Sequence, residues 1–185
     1  MTMDQPKCIA LIGPRGCGKT TVGRILARLL GGEYVDTDEL VAQRAGRSIA
    51  EVFSAEGEAG FRKRESQAIR EVVVKPPAVI SVGGGAVLYQ ENIDALRAVA
   101  ILVWLTAPAE VLYQRISTDP ATASSRPPLT QQSGIEEVMG LLADRSPLYQ
   151  RASDFQIETF DREPRIIAED IVRRIRPSSS SQAKD

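Results

Sequence analysis

Short apolar runs alternate along this chain with longer segments in which apolar residues recur at helical spacing. Runs of this kind, bounded by glycine, proline or polar residues, predict buried strands. Five strands are predicted, at Cys8–Ile12, Tyr34–Asp36, Ala78–Val82, Ile101–Leu105 and Phe155–Thr159. Because three of the runs are almost entirely apolar and helical segments separate them, we expect an α/β fold with a parallel sheet covered by helices on both faces.

The segments between the strands predict the helices. Ser48 and Glu51 form a capping box that opens one of them. Thr37 is the expected cap of another, and Pro147 is expected to interrupt a later one. Besides the helix that opens at this capping box, the predicted helices are Thr21–Leu30, Asp38–Ala45, Glu58–Val74, Pro108–Ser117, Ile135–Arg151 and Pro164–Arg176.

The loop between the first strand and the first helix carries the most specific pattern. Gly13 to Thr20 reads G-P-R-G-C-G-K-T and fits G-x-x-x-x-G-K-[ST], the phosphate-binding loop of many nucleotide enzymes. Its glycines let successive backbone N–H groups point into one concavity, and the helix N-terminus adds attraction for anions. Lys19 can reach the β- and γ-phosphates of a nucleotide, and the Thr20 hydroxyl can ligate Mg²⁺. The order strand, loop, helix disfavours a chance glycine-rich turn.

Further candidates follow the next two strands, because ligands of a parallel sheet bind at the carboxyl ends of its strands. Asp36 and Asp38 lie two residues apart, so both carboxylates can face the phosphate site. Asp36 can hold Mg²⁺ through water, and Asp38 can accept hydrogen bonds from substrate hydroxyls. Gly83–Gly85 lets the backbone touch a small ligand. A helix cap and a tight turn are the structural alternatives for these two segments.

Arginines complete the candidate site. Arg62 and Glu65 share one helix face, where a solvated charged surface is the alternative. Arg126 lies in the polar stretch 118–134, which is long enough for a lid that closes over the γ-phosphate, or for a disordered connection. Arg62 and Arg145 carry forked guanidiniums that together suit one carboxylate. We therefore expect a compact, polyhydroxylated acid as the second ligand.

Composition narrows the class of protein. The 185 residues are 43% hydrophobic and 25% charged, which predicts one globular domain over 1–176 and a disordered serine-rich tail over 177–185. A net charge of −1 argues against nucleic-acid and membrane partners, and the absence of histidine excludes histidine catalysis. Cys8 and Cys17 are the only cysteines, so a reducing cytoplasm is expected. No transmembrane run is found, and Met1–Lys7 does not resemble a signal peptide.

Taken together, these segments resemble the shikimate kinase family over about Lys7 to Arg176. The resemblance rests on G-P-R-G-C-G-K-T-T, D-T-D, G-R-S-I-A-E-V-F, G-E-x-x-F-R-x-x-E, G-G-G-A, R-P-P-L and R-S-P-L-Y, in this order. It implies a P-loop kinase fold related to nucleoside monophosphate kinases, with strand order 2-3-1-4-5. It also implies Mg²⁺-dependent transfer of the ATP γ-phosphate to the 3-hydroxyl of shikimate, in aromatic amino-acid synthesis through chorismate.

The resemblance assigns roles to individual residues. The residues it places on ATP are Gly13, Gly16, Cys17, Gly18, Lys19, Thr20, Thr21, Arg115, Arg126 and Arg162, of which Arg115 stacks on adenine and Arg162 flanks the base. Those it places on shikimate are Asp38, Arg62, Glu65, Gly83, Gly84, Gly85 and Arg145, with the substrate-binding helices at about 37–74. Thr20 ligates Mg²⁺, with Asp36 in the outer shell. The catalytic residues are Lys19, Asp38 and the lid arginine, Arg126.

Other functions stay open from the sequence. A gluconate kinase is the nearest alternative, because its substrate is also a hydroxy acid. A small GTPase is disfavoured, since the chain has no N-K-x-D motif for reading guanine. An inactive relative that serves as a binding module is disfavoured because no motif residue is missing. We expect a monomer whose partners are ATP and shikimate.

Overall fold

The computed structural model describes residues 8–118 and 134–175. One parallel sheet contains β1 (Cys8–Ile12), β2 (Tyr34–Asp36), β3 (Val79–Ser81), β4 (Ala100–Thr106) and β5 (Phe155–Glu158), in the order β2-β3-β1-β4-β5. The α-helices of the described ranges are α1 (Lys19–Leu30), α2 (Thr37–Ala45), α3 (Ile49–Val72), α4 (Gln90–Arg97), α5 (Ala109–Thr118), α6 (Ile135–Ala152) and α7 (Pro164–Ile175), and a short 3-10 helix covers Ala86–Leu88. The expected fold class and strand order are confirmed.

Alternating residues of the strands build a separate core on each face of the sheet. Ala10 and Ile12 of β1 face α3, α4 and α6, with Ile69, Leu96 and Tyr149 packed in the same cluster. Ile9 and Leu11 face α1, α5 and α7 in a second cluster, whose helical members are Val22, Leu26, Leu112, Ile167 and Ile171. Burial on both faces is the physical reason for the nearly continuous apolar strands.

Helices α2 and α3 form a smaller hydrophobic cluster of their own, centred on Val52 and Phe61. Ser48 begins α3 with the predicted capping box, in which its hydroxyl accepts from the Glu51 N–H and the Glu51 carboxylate accepts from the Ser48 N–H. The helix breaks at Gly57, where φ is 65° and ψ is −175°. The two helical segments predicted on either side of Gly57 are therefore joined end to end, with a kink between them.

Several predicted boundaries and one predicted cap differ from the structure. Asp36, not Thr37, caps α2, because the Asp36 carboxylate accepts the Asp38 N–H at 2.9 Å while its backbone keeps the extended conformation of β2. Pro147 lies within α6 without ending it. The long helix ends at Val72 rather than Val74, and α4 was not predicted at all.

The strand register places the phosphate loop beside Asp36 and Asp38, the two acidic residues at the carboxyl end of β2. Asp36 pairs with Ser81 across β2 and β3, and Ser81 pairs with Leu11 of β1. Two residues after Leu11 the chain enters the phosphate loop at Gly13. The carboxyl ends of β1, β2 and β3 therefore meet at one edge of the sheet.

Two parts of the expected organisation lie outside the described residues. They are the tail, 177–185, and the part of the expected lid between Thr118 and Gly134, which includes Arg126. Among the helices that the structure describes, none is long and apolar enough to cross a membrane.

Candidate active site

The phosphate loop has the backbone that its glycines predict. Gly13, Gly16 and Gly18 have φ of 141°, 80° and 92°, a region that residues with a side chain rarely adopt. Gly18 directly precedes α1, and no side chain caps this helix or places a carboxylate in its first turn. The helix N-terminus therefore keeps its partial positive charge for an anion.

Lys19 lies against the loop that it would serve. Its ammonium group donates to the carbonyl oxygens of Gly13 at 2.8 Å and Pro14 at 2.9 Å. The Cys17 sulfur lies 3.7 Å from the same nitrogen, and Cys17 is completely buried. These contacts hold the ammonium group over the concave side of the loop, where a phosphate would add to its partners.

Two hydroxyl groups meet one carboxylate beside the loop. The Thr20 hydroxyl donates to Asp36 Oδ2 at 3.3 Å, and the Tyr34 hydroxyl donates to the same oxygen at 3.0 Å. Burial, followed by the charge of Asp36, raises the pKa of Tyr34, so Tyr34 stays a donor at neutral pH. Hydroxyl and carboxylate oxygens suit Mg²⁺, which takes few protein ligands and keeps several waters.

Asp38 faces the glycine turn after β3. A Cβ atom added at Gly83 would lie 2.9 Å from Asp38 Oδ1 and would overlap the Glu65 carboxylate, so only glycine fits between the two acidic side chains. The Gly83 N–H donates to the Thr37 hydroxyl at 3.3 Å, and Thr37 is completely buried. The turn and the start of α2 are therefore held at a fixed separation.

Arg62 is a buried cation held by two carboxylates of its own helix. It donates to Glu65 at 2.8 Å and to Glu58 at 3.2 Å, and Glu65 is completely buried. Burial opposes the charge of Arg62, but Glu65 and Glu58 outweigh it and raise the pKa. A Cβ atom at Gly85 would overlap the guanidinium, which places Arg62 directly against the glycine turn.

Arg145 reaches the same region from another helix, α6. It lies close to the Tyr149 hydroxyl, where its charge and hydrogen bonding counter the rise in the Tyr149 pKa that burial causes. Unlike Arg62, it makes no ion pair with a carboxylate in residues 8–118 and 134–175. Within the part of the chain that the structure describes, carboxylates therefore neutralise Arg145 less than Arg62.

One cavity of about 760 Å³ joins most of these groups. Its lining runs from the phosphate loop past Asp36 and Asp38 to Gly84, and in the other direction to Arg115 and Arg162. Of the predicted site residues, those that line it are Gly16, Cys17, Gly18, Lys19, Thr20, Thr21, Asp36, Asp38, Gly84, Arg115 and Arg162. Volumes of this size accommodate drug-sized and cofactor-sized ligands.

The far end of the cavity carries the two arginines assigned to the nucleotide base. Arg115 donates to the hydroxyl and the carbonyl of Thr159, at 3.1 and 3.0 Å, and to the Gly16 carbonyl at 3.3 Å. Arg162 forms an ion pair with Asp170 at 3.1 Å. Arg115 therefore connects the phosphate loop to the end of β5, whereas the Arg162 guanidinium is paired with Asp170 of α7.

Some residues of the site were not identified from the sequence. Thr37, Tyr149 and Thr159 are all buried and all hold site residues in place. Thr159 directly follows β5, so the rule that ligands bind at strand ends could have found it. Thr37 and Tyr149 belong to the D-T-D and R-S-P-L-Y motifs, but nothing in these motifs indicates the contacts that the two residues make. Arg126 lies outside the described residues and stays a prediction.

Fold and site together define a class of protein, the P-loop kinases of small molecules. The phosphate loop lies in one cavity with Asp38 and Gly84, and Arg62 packs against the same glycine turn. A family model described as "Shikimate kinase" matches residues 15–176. The chain belongs to the shikimate kinase family, and membership implies ATP-dependent phosphorylation of shikimate in aromatic biosynthesis.

Individual relatives agree with the family model. The chain is 40% identical to a shikimate kinase of Rhodopirellula baltica, over 97% of this chain and 95% of that protein. It is 43% identical to shikimate kinase 2 of Dickeya chrysanthemi, over 90% and 94% of the two chains. Among solved structures, shikimate kinase from Acinetobacter baumannii in complex with shikimate superposes with a TM-score of 0.86 at 36% identity, over 93% of this chain and 94% of that one.

Proposed function

We propose that this chain transfers the γ-phosphate of Mg·ATP to the 3-hydroxyl of shikimate, giving shikimate 3-phosphate and ADP. The observation that supports this most directly is the single cavity that joins the phosphate loop to Asp38 and Gly84. Phosphoryl transfer needs donor and acceptor in line, with the attacking hydroxyl next to the γ-phosphate. A shared cavity allows donor and acceptor to meet in this way.

The donor side is formed by the phosphate loop and the start of α1. Backbone N–H groups of the loop bind the phosphates, and Lys19 stabilises charge on the transferring group. Thr20 and, through water, Asp36 would hold Mg²⁺, which neutralises phosphate charge when it is bound. Arg115 and Arg162 flank the adenine at the far end of the cavity. Arg126 acts on the γ-phosphate in the same proposal, on the basis of the sequence alone.

The acceptor side has a polar and a cationic part. Asp38 accepts hydrogen bonds from shikimate hydroxyls and orients the 3-hydroxyl, and it is also placed to take up the proton that this hydroxyl loses. Arg145 and Arg62 bind the carboxylate. Because Glu65 and Glu58 already neutralise much of the Arg62 charge, we assign the larger share of carboxylate binding to Arg145.

The test of this function is a coupled assay of ADP release with Mg·ATP and either shikimate or gluconate. We expect turnover with shikimate and little with gluconate, because the carboxylate and hydroxyls of shikimate are held on one ring. Replacing ATP by GTP tests the nucleotide assignment in the same format. Turnover with gluconate but not with shikimate would contradict the proposal.

Arg145→Met should raise the KM for shikimate by roughly tenfold to a hundredfold, since it removes a charge-assisted hydrogen bond to the carboxylate. The KM for ATP should stay nearly constant. Arg151→Met is the matched control, because Arg151 is exposed on the same helix. Steady-state kinetics with both substrates measures this. A normal KM for shikimate in Arg145→Met would remove Arg145 from the carboxylate site.

The remaining parts of the proposal concern the chain as a whole. Residues 1–176 form one kinase domain, and the protein works as a cytoplasmic monomer without nucleic-acid or membrane partners. These statements rest on composition and motif order, and size-exclusion chromatography with light scattering measures the monomeric state.

A further inference from the structure

Tyr149 is the largest fully buried side chain in the part of the chain that the structure describes. Its exposed fraction is 1%, and its ring stacks on Trp104 with centroids 5.7 Å apart and planes 25° from parallel. Trp104 belongs to β4 and is the chain's single tryptophan. The stack fixes the ring, and with it the position of the hydroxyl.

The Tyr149 hydroxyl donates to the Gly84 carbonyl oxygen at 2.5 Å. Burial raises the pKa of Tyr149, so the hydroxyl stays a donor throughout the neutral range. The neighbouring carbonyls of Gly83 and Gly85 accept from the backbone N–H groups of Ala86 and Leu88, within the turn itself. Gly84 is thus the residue of the turn whose carbonyl is held from another element of the fold.

Gly84 lies where the donor and acceptor sites meet. A Cβ atom added to it would lie 3.3 Å from the Gly13 carbonyl oxygen and 3.7 Å from the Arg15 nitrogen, both in the phosphate loop. The same atom would lie 3.3 Å from the Tyr149 hydroxyl. On either side of Gly84 the turn packs against acceptor residues, with Gly83 beside Asp38 and Gly85 beside Arg62. A displacement of Gly84 therefore changes the distance between the two sites.

We propose that Tyr149 is a positioning residue that sets the separation between the shikimate hydroxyl and the phosphate loop by holding the Gly84 carbonyl. Helix α6 carries Arg145 one turn before Tyr149, on the same face. One helix, α6, then positions both the arginine that binds the carboxylate and the carbonyl group of Gly84. The proposal rests on the residue roles given under Proposed function.

Tyr149→Phe tests the hydroxyl while it keeps the ring and its stack on Trp104. Misplacement of reacting groups by about 1 Å can cost roughly a hundredfold in rate, so we expect kcat to fall by roughly tenfold to a hundredfold. The KM for ATP should change by less than about threefold, because Tyr149 touches no substrate. The KM for shikimate should change less than kcat, since the hydroxyl also lies beside Arg145. A kcat within twofold of the parent would overturn the proposal.

A second set of measurements separates positioning from general destabilisation. Ile93→Ala weakens the same hydrophobic cluster and leaves the hydrogen bond from Tyr149 to Gly84 in place, so it should keep its kcat at a temperature where it is folded. An equal loss of kcat in Ile93→Ala and Tyr149→Phe would overturn the proposal. Trp104 emission reports whether the stack survives in Tyr149→Phe. If the stack is lost in Tyr149→Phe, Gly84→Ala is the alternative variant, because it perturbs the contact of Gly84 with the phosphate loop and Tyr149. An unchanged kcat in Gly84→Ala then overturns the proposal.

Failure of this inference can be told from failure of the proposed function. If the parent protein phosphorylates shikimate and Tyr149→Phe does so equally well, only the role of Tyr149 is wrong. If the parent protein shows no turnover with shikimate, the functional assignment itself is wrong.

Discussion

Lys19→Ala should lower kcat by at least roughly a hundredfold to a thousandfold, because it removes a preorganised charge that stabilises the transferring phosphoryl group. The fold should survive. The Lys19 ammonium donates to the loop carbonyls of Gly13 and Pro14 and belongs to neither hydrophobic cluster of the sheet. Steady-state turnover and thermal unfolding, followed on the same preparation, measure both parts of this prediction.

The control for this variant is Lys75→Ala, which removes an exposed lysine from the segment after α3. It should leave kcat and the melting temperature unchanged. Near-normal turnover of a folded Lys19→Ala protein would contradict the role of the phosphate loop. A large fall in melting temperature would instead assign Lys19 a structural role.

Asp38→Asn should lower kcat with shikimate by roughly a hundredfold to ten-thousandfold, the range typical for loss of a general base. Asparagine keeps the shape of the side chain beside Gly83 and removes its charge. The KM for ATP should change little, since the phosphate loop is untouched. Steady-state kinetics at saturating levels of each substrate gives the three constants.

The pattern of the constants distinguishes two roles of Asp38. A fall in kcat with an unchanged KM for shikimate indicates that the carboxylate acts on the proton in the transition state, whereas a rise in KM alone indicates orientation only. Asp94→Asn, on the exposed side of α4, is the matched control. A weaker affinity for ATP with normal shikimate turnover would place Asp38 outside the acceptor pocket.

The phosphate loop could be identified from the sequence because it is a local structure. Gly13 to Thr20 are consecutive, and their function depends on the backbone between one strand and one helix. The strands were predictable for a related reason, since burial on both faces leaves an apolar run that needs no knowledge of its partners. Helix α4 was missed because it is only eight residues long and no side-chain cap marks its start.

The acceptor pocket was only partly predictable. Ligands of a parallel sheet bind at the carboxyl ends of its strands, and this rule indicated Asp36, Asp38 and Gly83–Gly85 as candidates. It did not indicate which residues they contact. The predicted cap at Thr37 was wrong, because the extended backbone of β2 continues through Asp36 and leaves Thr37 to face Gly83. Both Asp36 and Thr37 are residue types that commonly cap helices, and only the pairing of β2 with β3 decides which of them caps α2.

The sequence by itself therefore determined the order of strands and helices along the chain, the phosphate loop and the candidate side chains at the strand ends. Tertiary structure alone decided which of these meet. Tyr149 and Gly84 are 65 positions apart, and Arg115 and Thr159 are 44 apart. No local pattern encodes such pairs, because they arise when helices pack on opposite faces of one sheet and bring their side chains to its carboxyl edge.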